Sequence, residues 1–338
     1  MYEGRTVGVV VPAYNEADHV GHVIRKMPSF VDRIYVVDDA STDNTWEEIR
    51  GAAERLNEHG HAEVDRHLSG RGTLVTGGRV IPIRHETNRG VGGAIKTGYL
   101  SALADEMDVT AVIAGDDQMD QTLLKSLLEP IVQGRADYAK GNRFLSAEDR
   151  ENVPRFRLFG NAMLSFLTKV ASGYWTISDS QNGYTAISRE ALESIETDRM
   201  YEFYGYCNDI LVRLNVAGMT VVDVPLPISY EDESSNINYF TYVPHVSGML
   251  LRNFLWRLKT KYVLRDFHPL VLLYGFGAVG SIAFALQSFN AARSEDGPQL
   301  STTVNNGLVA GLLLVLAMVF DRIDNDHLDE SWIEDSEV

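Results

Sequence analysis

The run Gly115-Asp116-Asp117-Gln118-Met119-Asp120 directly follows the apolar stretch Val109 to Ala114. That stretch reads as a buried strand, so the acids stand where a strand leaves its sheet. Ligands of parallel α/β sheets bind at this carboxyl end. A hard cation such as Mg²⁺ or Mn²⁺ takes oxygen ligands and shares them with a substrate's phosphates. The competing reading is a solvated acidic turn.

Three more segments are placed in the same way. Thr6 to Val11 ends in Pro12-Ala13-Tyr14-Asn15-Glu16, whose turn residues and carboxylate can accept hydrogen bonds from a base or ribose. Arg33 to Val37 ends in Asp38-Asp39-Ala40-Ser41-Thr42-Asp43, two acids placed for a ribose or a pyrimidine N–H. Ser41 and Asp43 also suit the cap of the next helix. Val80 to Arg84 is followed by Asn88-Arg89-Gly90-Val91-Gly92-Gly93-Ala94. Glycines at a helix N-terminus expose backbone N–H groups to an anion. Ile95 stands where Gly-x-Gly-x-x-Gly needs its last glycine, which disfavours a nicotinamide dehydrogenase.

These loops need a scaffold, and the chain supplies one. Strands at 6–11, 33–37, 80–84 and 109–114 alternate with helical patterns at 17–26, 45–58, 92–104 and 122–133. The alternation predicts a doubly wound, Rossmann-like parallel sheet. Residues 57–78 read as an insertion, and Gly70-Arg71-Gly72-Thr73 lacks the Lys of a phosphate loop. Residues 154–228 read as α+β, with helices at 156–170 and 209–217 and strands at 184–188 and 220–224.

The chain has 338 residues and a net charge of −17, from 47 acids against 30 bases, of which only 7 are Lys. Such a chain repels nucleic acid, and no basic patch appears. Acid excess with few lysines suits a salt-rich cytoplasm such as that of a halophilic archaeon. The lone Cys207 excludes an internal disulfide and reads as a small buried hydrophobe. No leader is expected, because Val7 to Val11 is too short an apolar run.

No charge occurs from Phe267 to Ala292 or from Gln299 to Phe320. Two transmembrane helices at about 268–288 and 302–320 are expected, against the alternative of a buried helix pair. Bases at Arg252, Arg257, Lys259, Lys261 and Arg265 face a joining loop holding only Arg293. This bias places the large domain in the cytoplasm of a two-pass cell-membrane protein. Residues 241–266 read as an amphipathic segment on the membrane lipid or on the catalytic domain. The acidic residues 321–338 read as a disordered tail.

In order and spacing, Pro12-Ala13-Tyr14-Asn15-Glu16, Val37-Asp38-Asp39-x-Ser41-x-Asp43-x-Thr45, Asn88-Arg89-Gly90-x-Gly92 and the Asp116 segment resemble family 2 inverting glycosyltransferases. The dolichol-phosphate (polyprenyl-phosphate) sugar synthases are the subgroup most resembled, over residues 5–240. The resemblance implies a GT-A domain over 1–240, a UDP- or GDP-sugar donor and Mg²⁺ or Mn²⁺. It assigns Asp38 and Asp39 to the nucleoside, with Pro12, Tyr14 and Glu16 in the same pocket. Asn88, Gly90, Lys96 and Asp117 join them on the donor. It assigns Asp116 and Gln118 to the metal. Ala114 departs from the family where the first acid of Asp-x-Asp is expected, and Glu16, Asp117 or Asp120 would have to compensate.

Arg143, in Lys140-Gly141-Asn142-Arg143-Phe144, matches a Gly-x-Arg segment, and its fork suits a phosphate. Asp179 in Asp179-Ser180-Gln181-Asn182-Gly183-Tyr184 matches an acceptor-side position, and Asp209 a later acid; the resemblance implies catalytic roles for Asp116, Arg143, Asp179 and Asp209. Ser234-Ser235-Asn236 resembles a loop closing over phosphate. The implied reaction is inverting transfer of a hexose to dolichyl (polyprenyl) phosphate, feeding protein N-glycosylation. Another lipid or lipid-linked glycan acceptor, or a non-catalytic membrane scaffold, is the alternative.

Overall fold

The computed structural model describes residues 1–67, 78–143, 155–226, 239–291, 293 and 300–332. The sheet begins with β1 (Val7–Ala13), β2 (Arg33–Asp38), β3 (Val80–Arg84) and β4 (Val109–Val112). It continues with β5 (Tyr138–Asn142), β6 (Thr185–Ser188), β7 (Val221–Pro225) and β8 (Asp329–Glu330). The strand order is β3-β2-β1-β4-β6-β5-β7-β8. β1 to β4 are parallel, as their apolar runs predict. β6 runs antiparallel to both β4 and β5, so one mixed sheet replaces the expected parallel sheet and separate α+β region. Periodicity reports that a segment is a strand, not which strand it lies beside.

Helices cover both faces: α1 (Val20–Lys26), α2 (Thr45–His67), α3 (Val91–Ala104), α4 (Leu124–Val132), α5 (Arg155–Ser172), α6 (Arg189–Ser194) and α7 (Tyr206–Ala217). α2 runs on through His67, into the region read as an insertion; Gly70 to Thr73 lie outside the described residues. α3 seats against β1 through Gly98, where an added Cβ would lie 2.3 Å from Val10 Cγ1. This contact holds the helix, and the loop before it, against the central strand.

α8 (Tyr239–Lys259) leads to α9 (Leu270–Ala291) and α10 (Leu300–Asn325). The last two are long and apolar enough to cross a membrane. Only 17% and 11% of their apolar windows is buried, unlike helices of a soluble core. Phe276, Val279, Ile282, Leu308 and Leu312 are each at least 60% exposed. A continuous apolar face of this kind needs a covering. The helices approach through small residues: a Cβ on Gly277 would lie 2.7 Å from Leu314 Cδ2, and one on Gly280 2.9 Å from Ala310 Cβ.

The segment after the second apolar helix is ordered, contrary to expectation. Asp321 and Arg257 are both fully buried and paired at 2.7 and 3.0 Å, and Tyr262 donates to Asp321 at 2.7 Å. Asn325 accepts from Asn215 and Lys261 at 2.7 and 2.6 Å. Leu328 enters the core, and β8 extends β7 with Val221 opposite Asp329. Composition shows the acids but not their buried partners, which is why the segment read as a tail. Residues 333–338 lie outside the described residues.

Candidate active site

The exits of β1 and β2 are laced together. Ser41 Oγ accepts from Asn15 N at 3.0 Å, and Thr45 Oγ1 accepts from Glu16 N at 2.7 Å. Asn15 Oδ1 accepts from Thr42 N at 2.9 Å. Asp43 accepts from both Thr45 N and Thr45 Oγ1, so it does cap α2. Asn15, Ala40 and Asp117 all have left-handed backbones, with φ of 57°, 61° and 58°. Non-glycine residues in this region cluster where function fixes a turn.

Asp38 is fully buried. Its Oδ1 accepts from Ser41 N at 3.0 Å, and Arg84 Nε lies 3.1 Å from Oδ2. The Arg84 contact is an ion pair without hydrogen-bond alignment, so Oδ2 is a buried acceptor with no aligned donor among the described residues. Such an atom suits a ligand N–H or O–H. Pro12 is half-buried and Tyr14 exposed beside it.

Asp39 behaves differently. Its Oδ1 contacts His85 Nδ1 at 2.7 Å and accepts from Arg89 N at 2.9 Å, while His85 Nε2 meets Thr97 Oγ1 at 2.9 Å. Asp39 therefore ties the glycine loop to β2. His85 escaped the sequence reading; its only signal is a lone histidine just past β3.

The glycine loop serves packing more than anion capture. Asn88 Oδ1 accepts from Gly90 N at 3.1 Å, and Gly93 N donates to Glu202 O at 2.8 Å. A Cβ on Gly92 would lie 2.5 Å from Tyr201 O, so the loop lies tight under residues 201–203. Lys96, expected at the donor, pairs with Glu202 Oε1 at 3.0 Å, as Arg89 does at 2.6 Å. The Arg89 hydrogen bond leads the interactions holding the Glu202 carboxyl below its usual range.

At the exit of β4, Asp116 Oδ1 accepts from Gln118 N at 3.1 Å. Gly115 N donates to Pro12 O at 3.1 Å, which brings this turn against the β1 exit. Burial first, and then the Asp116 charge, push the Glu16 carboxyl above its usual range. Of the three acids that could compensate, Glu16 is the one whose carboxyl the Asp116 charge reaches. Asp117 turns to Lys26 Nζ at 3.0 Å, and Asp120 caps the next turn through Thr122 N at 2.8 Å. Among the described residues no three His, Cys, Asp or Glu converge as a metal cage. An oxygen-only pair, Glu16 and Asp116, with the exposed Gln118 amide nearby, fits a hard cation whose remaining ligands are water and phosphate.

The acceptor-side loop abuts this turn, with Tyr184 Oη donating to Asp120 O at 3.0 Å. Asp179 is buried and clamps Arg143: Arg143 Nε donates to Oδ2 at 2.8 Å. Burial alone would raise the Asp179 carboxyl, but Arg143 and Lys140 outweigh it and hold it low. Asp179 is thus the holder of Arg143, whose side chain stays 35% exposed. Asp209 lies in the first turn of α7, which begins at Tyr206 rather than at the helix start read at 209. It is buried and accepts from Tyr201 N, Arg213 Nε and Asn253 Nδ2 at 2.7–2.9 Å. These bonds fix residue 201, α7 and α8 to one another and leave it facing protein on every side. Ser234 to Asn236 lie outside the described residues.

The exits of β1, β2 and β4 thus gather carboxylates, of which Asp38 keeps a buried oxygen with no aligned donor among the described residues, and Asp179 clamps the half-buried Arg143. The glycosyl transferase family 2 model matches residues 8–196, and the chain belongs to that family. Relatives include the UDP-N-acetylglucosamine–dolichyl-phosphate N-acetylglucosaminyltransferase of Methanococcus voltae, 27% identical over 68% of this chain and 88% of that one. The dolichol-phosphate mannosyltransferase of Pyrococcus furiosus is 25% identical over 72% and 63%. Glycosyltransferase AglD of Haloferax volcanii is 28% identical over 76% and 38%. Among solved structures, glucosyl-3-phosphoglycerate synthase from Mycobacterium tuberculosis superposes with a TM-score of 0.51 at 20% identity, over 75% of this chain and 81% of that one. The fold is GT-A, and the chain is a glycosyltransferase related to dolichyl-phosphate sugar transferases.

Proposed function

We propose that the protein is a two-pass membrane glycosyltransferase that moves one sugar from a nucleoside-diphosphate donor to dolichyl or another polyprenyl phosphate, with inversion, on the cytoplasmic face. The observation that carries this reading is the seating of the apolar hairpin. Both its ends meet the catalytic domain, and its second end is bolted by Asp321 to Arg257, which also donates to Ala171 O ahead of the Asp179 loop. The catalytic domain is thereby joined at both hairpin ends to helices suited to a bilayer, where a polyprenyl tail must stay, which supports a lipid phosphate as acceptor.

A phosphate acceptor removes the need for a general base. A sugar hydroxyl needs one, whereas a phosphate monoester is already ionised near neutral pH. Its oxygen attacks the anomeric carbon, the bond from that carbon to the diphosphate oxygen breaks, and the electron pair leaves with the nucleoside diphosphate. Asp38 holds the nucleoside through its buried Oδ2. Arg143, oriented by Asp179, meets the departing negative charge. Positioning and charge stabilisation make up the protein's share. Asp116, Glu16 and Gln118 would hold Mg²⁺ or Mn²⁺, which neutralises diphosphate charge when bound.

The named relatives act with N-acetylglucosamine and mannose, so the donor panel must include both beside glucose. The test is reaction of the full chain with dolichyl phosphate and UDP-glucose, UDP-N-acetylglucosamine or GDP-mannose, then NMR of the lipid product. A β-linked sugar phosphate from one α-linked donor is expected. An α-linked product, or none from any donor, contradicts the reading.

A further inference from the structure

We propose that Asp329, beyond the second apolar helix, is a positioning residue for Arg143. The inference rests on the reading that Arg143 meets the leaving diphosphate. Asp329 accepts from Trp175 N at 2.8 Å, Thr176 N at 3.3 Å and Thr176 Oγ1 at 2.8 Å. Two residues on, Ser178 N donates to Asp223 Oδ2 at 2.8 Å. Asp223 lies on β7, one residue past the position paired with Glu330 of β8. Carboxylates from two neighbouring strands thus grip the segment that delivers Asp179 to Arg143.

The upstream end of the segment is gripped from the same direction. Arg257, locked to Asp321 at the end of α10, donates to Ala171 O at 2.9 Å and Val170 O at 3.1 Å. Gly173 follows with φ of +84°, and a Cβ there would lie 2.5 Å from Arg257 Nη1. Residues 170–179 therefore span two clamps, Arg257–Asp321 and Asp329, that exist only when the hairpin's second helix has returned to the domain. Arg143 then depends for its orientation on a residue that never nears the substrate. Supports of this kind commonly alter function by roughly tenfold or more.

The test compares Asp329→Ala with the parent chain in detergent, full length, by hydrogen exchange and by steady-state kinetics. Peptides covering 171–182 should exchange faster. The kcat should fall about tenfold while KM for the nucleotide sugar stays within about twofold, since Asp38 is untouched. In an Arg143→Ala background the same substitution should lower kcat by less than about twofold. Should Asp329→Ala fold poorly, Thr176→Val removes one hydrogen bond from the loop side and should show the same pattern at smaller amplitude. Equal losses in both backgrounds, or unchanged exchange, would overturn the proposal. An Arg143→Ala enzyme with full turnover would instead remove the leaving-group reading on which it rests.

Discussion

Asp116, Asp38 and Asp223 carry the sharpest expectations for single residues. Asp116→Ala should lower turnover by about 10²-fold or more if it neutralises diphosphate charge, a magnitude typical of lost electrostatic stabilisers. Ala114→Asp should lower the Mn²⁺ concentration for half-maximal turnover by roughly tenfold, because it adds a second hard ligand beside Asp116; unchanged metal titration would count against the cation site. Asp38→Asn should weaken nucleotide binding in calorimetry, through the buried Oδ2 that lacks an aligned donor. Asp223 is nearly fully buried, and burial pushes its carboxyl up to about 6. The folded chain therefore holds this proton more tightly than the unfolded one. Stability from this group is full below about pH 4 and falls as pH rises through 6. Asp223→Asn should flatten that decline by on the order of 1 kcal/mol between pH 5 and 7.5, read as urea midpoints at those two values. The acids at the three strand exits were legible in the sequence because each follows an apolar run. Their partners were not: Asp39 holds a loop through His85, 46 residues away, and Asp179 holds Arg143, 36 residues away. Sequence order does not report which buried carboxylate faces a cation and which faces a substrate.

The elements that matter most are the glycine loop and the end of α10. Gly90 to Gly93 looked like an anion cradle, yet the N–H groups of Gly90 and Gly93 are taken by Asn88 and Glu202. The glycines are there because residues 201–203 press on them, a contact between elements far apart in the chain. Helices α9 and α10 were legible from length and absence of charge, because the bilayer requirement is written in composition. The acids after them were misread for the same reason. Asp321→Ala strands the fully buried Arg257 without its counter-charge and should cost about 3–5 kcal/mol, visible as a lower melting temperature. An Arg257→Met, Asp321→Leu double variant should recover most of that loss. Equal instability in single and double variants would show that packing, not unpaired charge, sets the cost.

Taken whole, the molecule is a GT-A domain whose sheet is closed at one edge by a strand returning from an apolar hairpin. With both hairpin ends at the domain, residue 293 and residue 326 should lie on opposite sides of the membrane. Cys207 is the only cysteine and is buried, so the wild-type background should label little. Arg293→Cys should react with an impermeant maleimide in intact cells, and Asp326→Cys only after permeabilisation; the reverse pattern would invert the topology. The most direct test of the account is sugar transfer into lipid. Membranes bearing the full chain would be given dolichyl phosphate, Mg²⁺ or Mn²⁺ and a panel of radiolabelled nucleotide sugars, at high and low salt. The account predicts label from one donor in a mild-acid-labile lipid, abolished in Asp116→Ala. Folded protein that moves no label into lipid from any donor would contradict it.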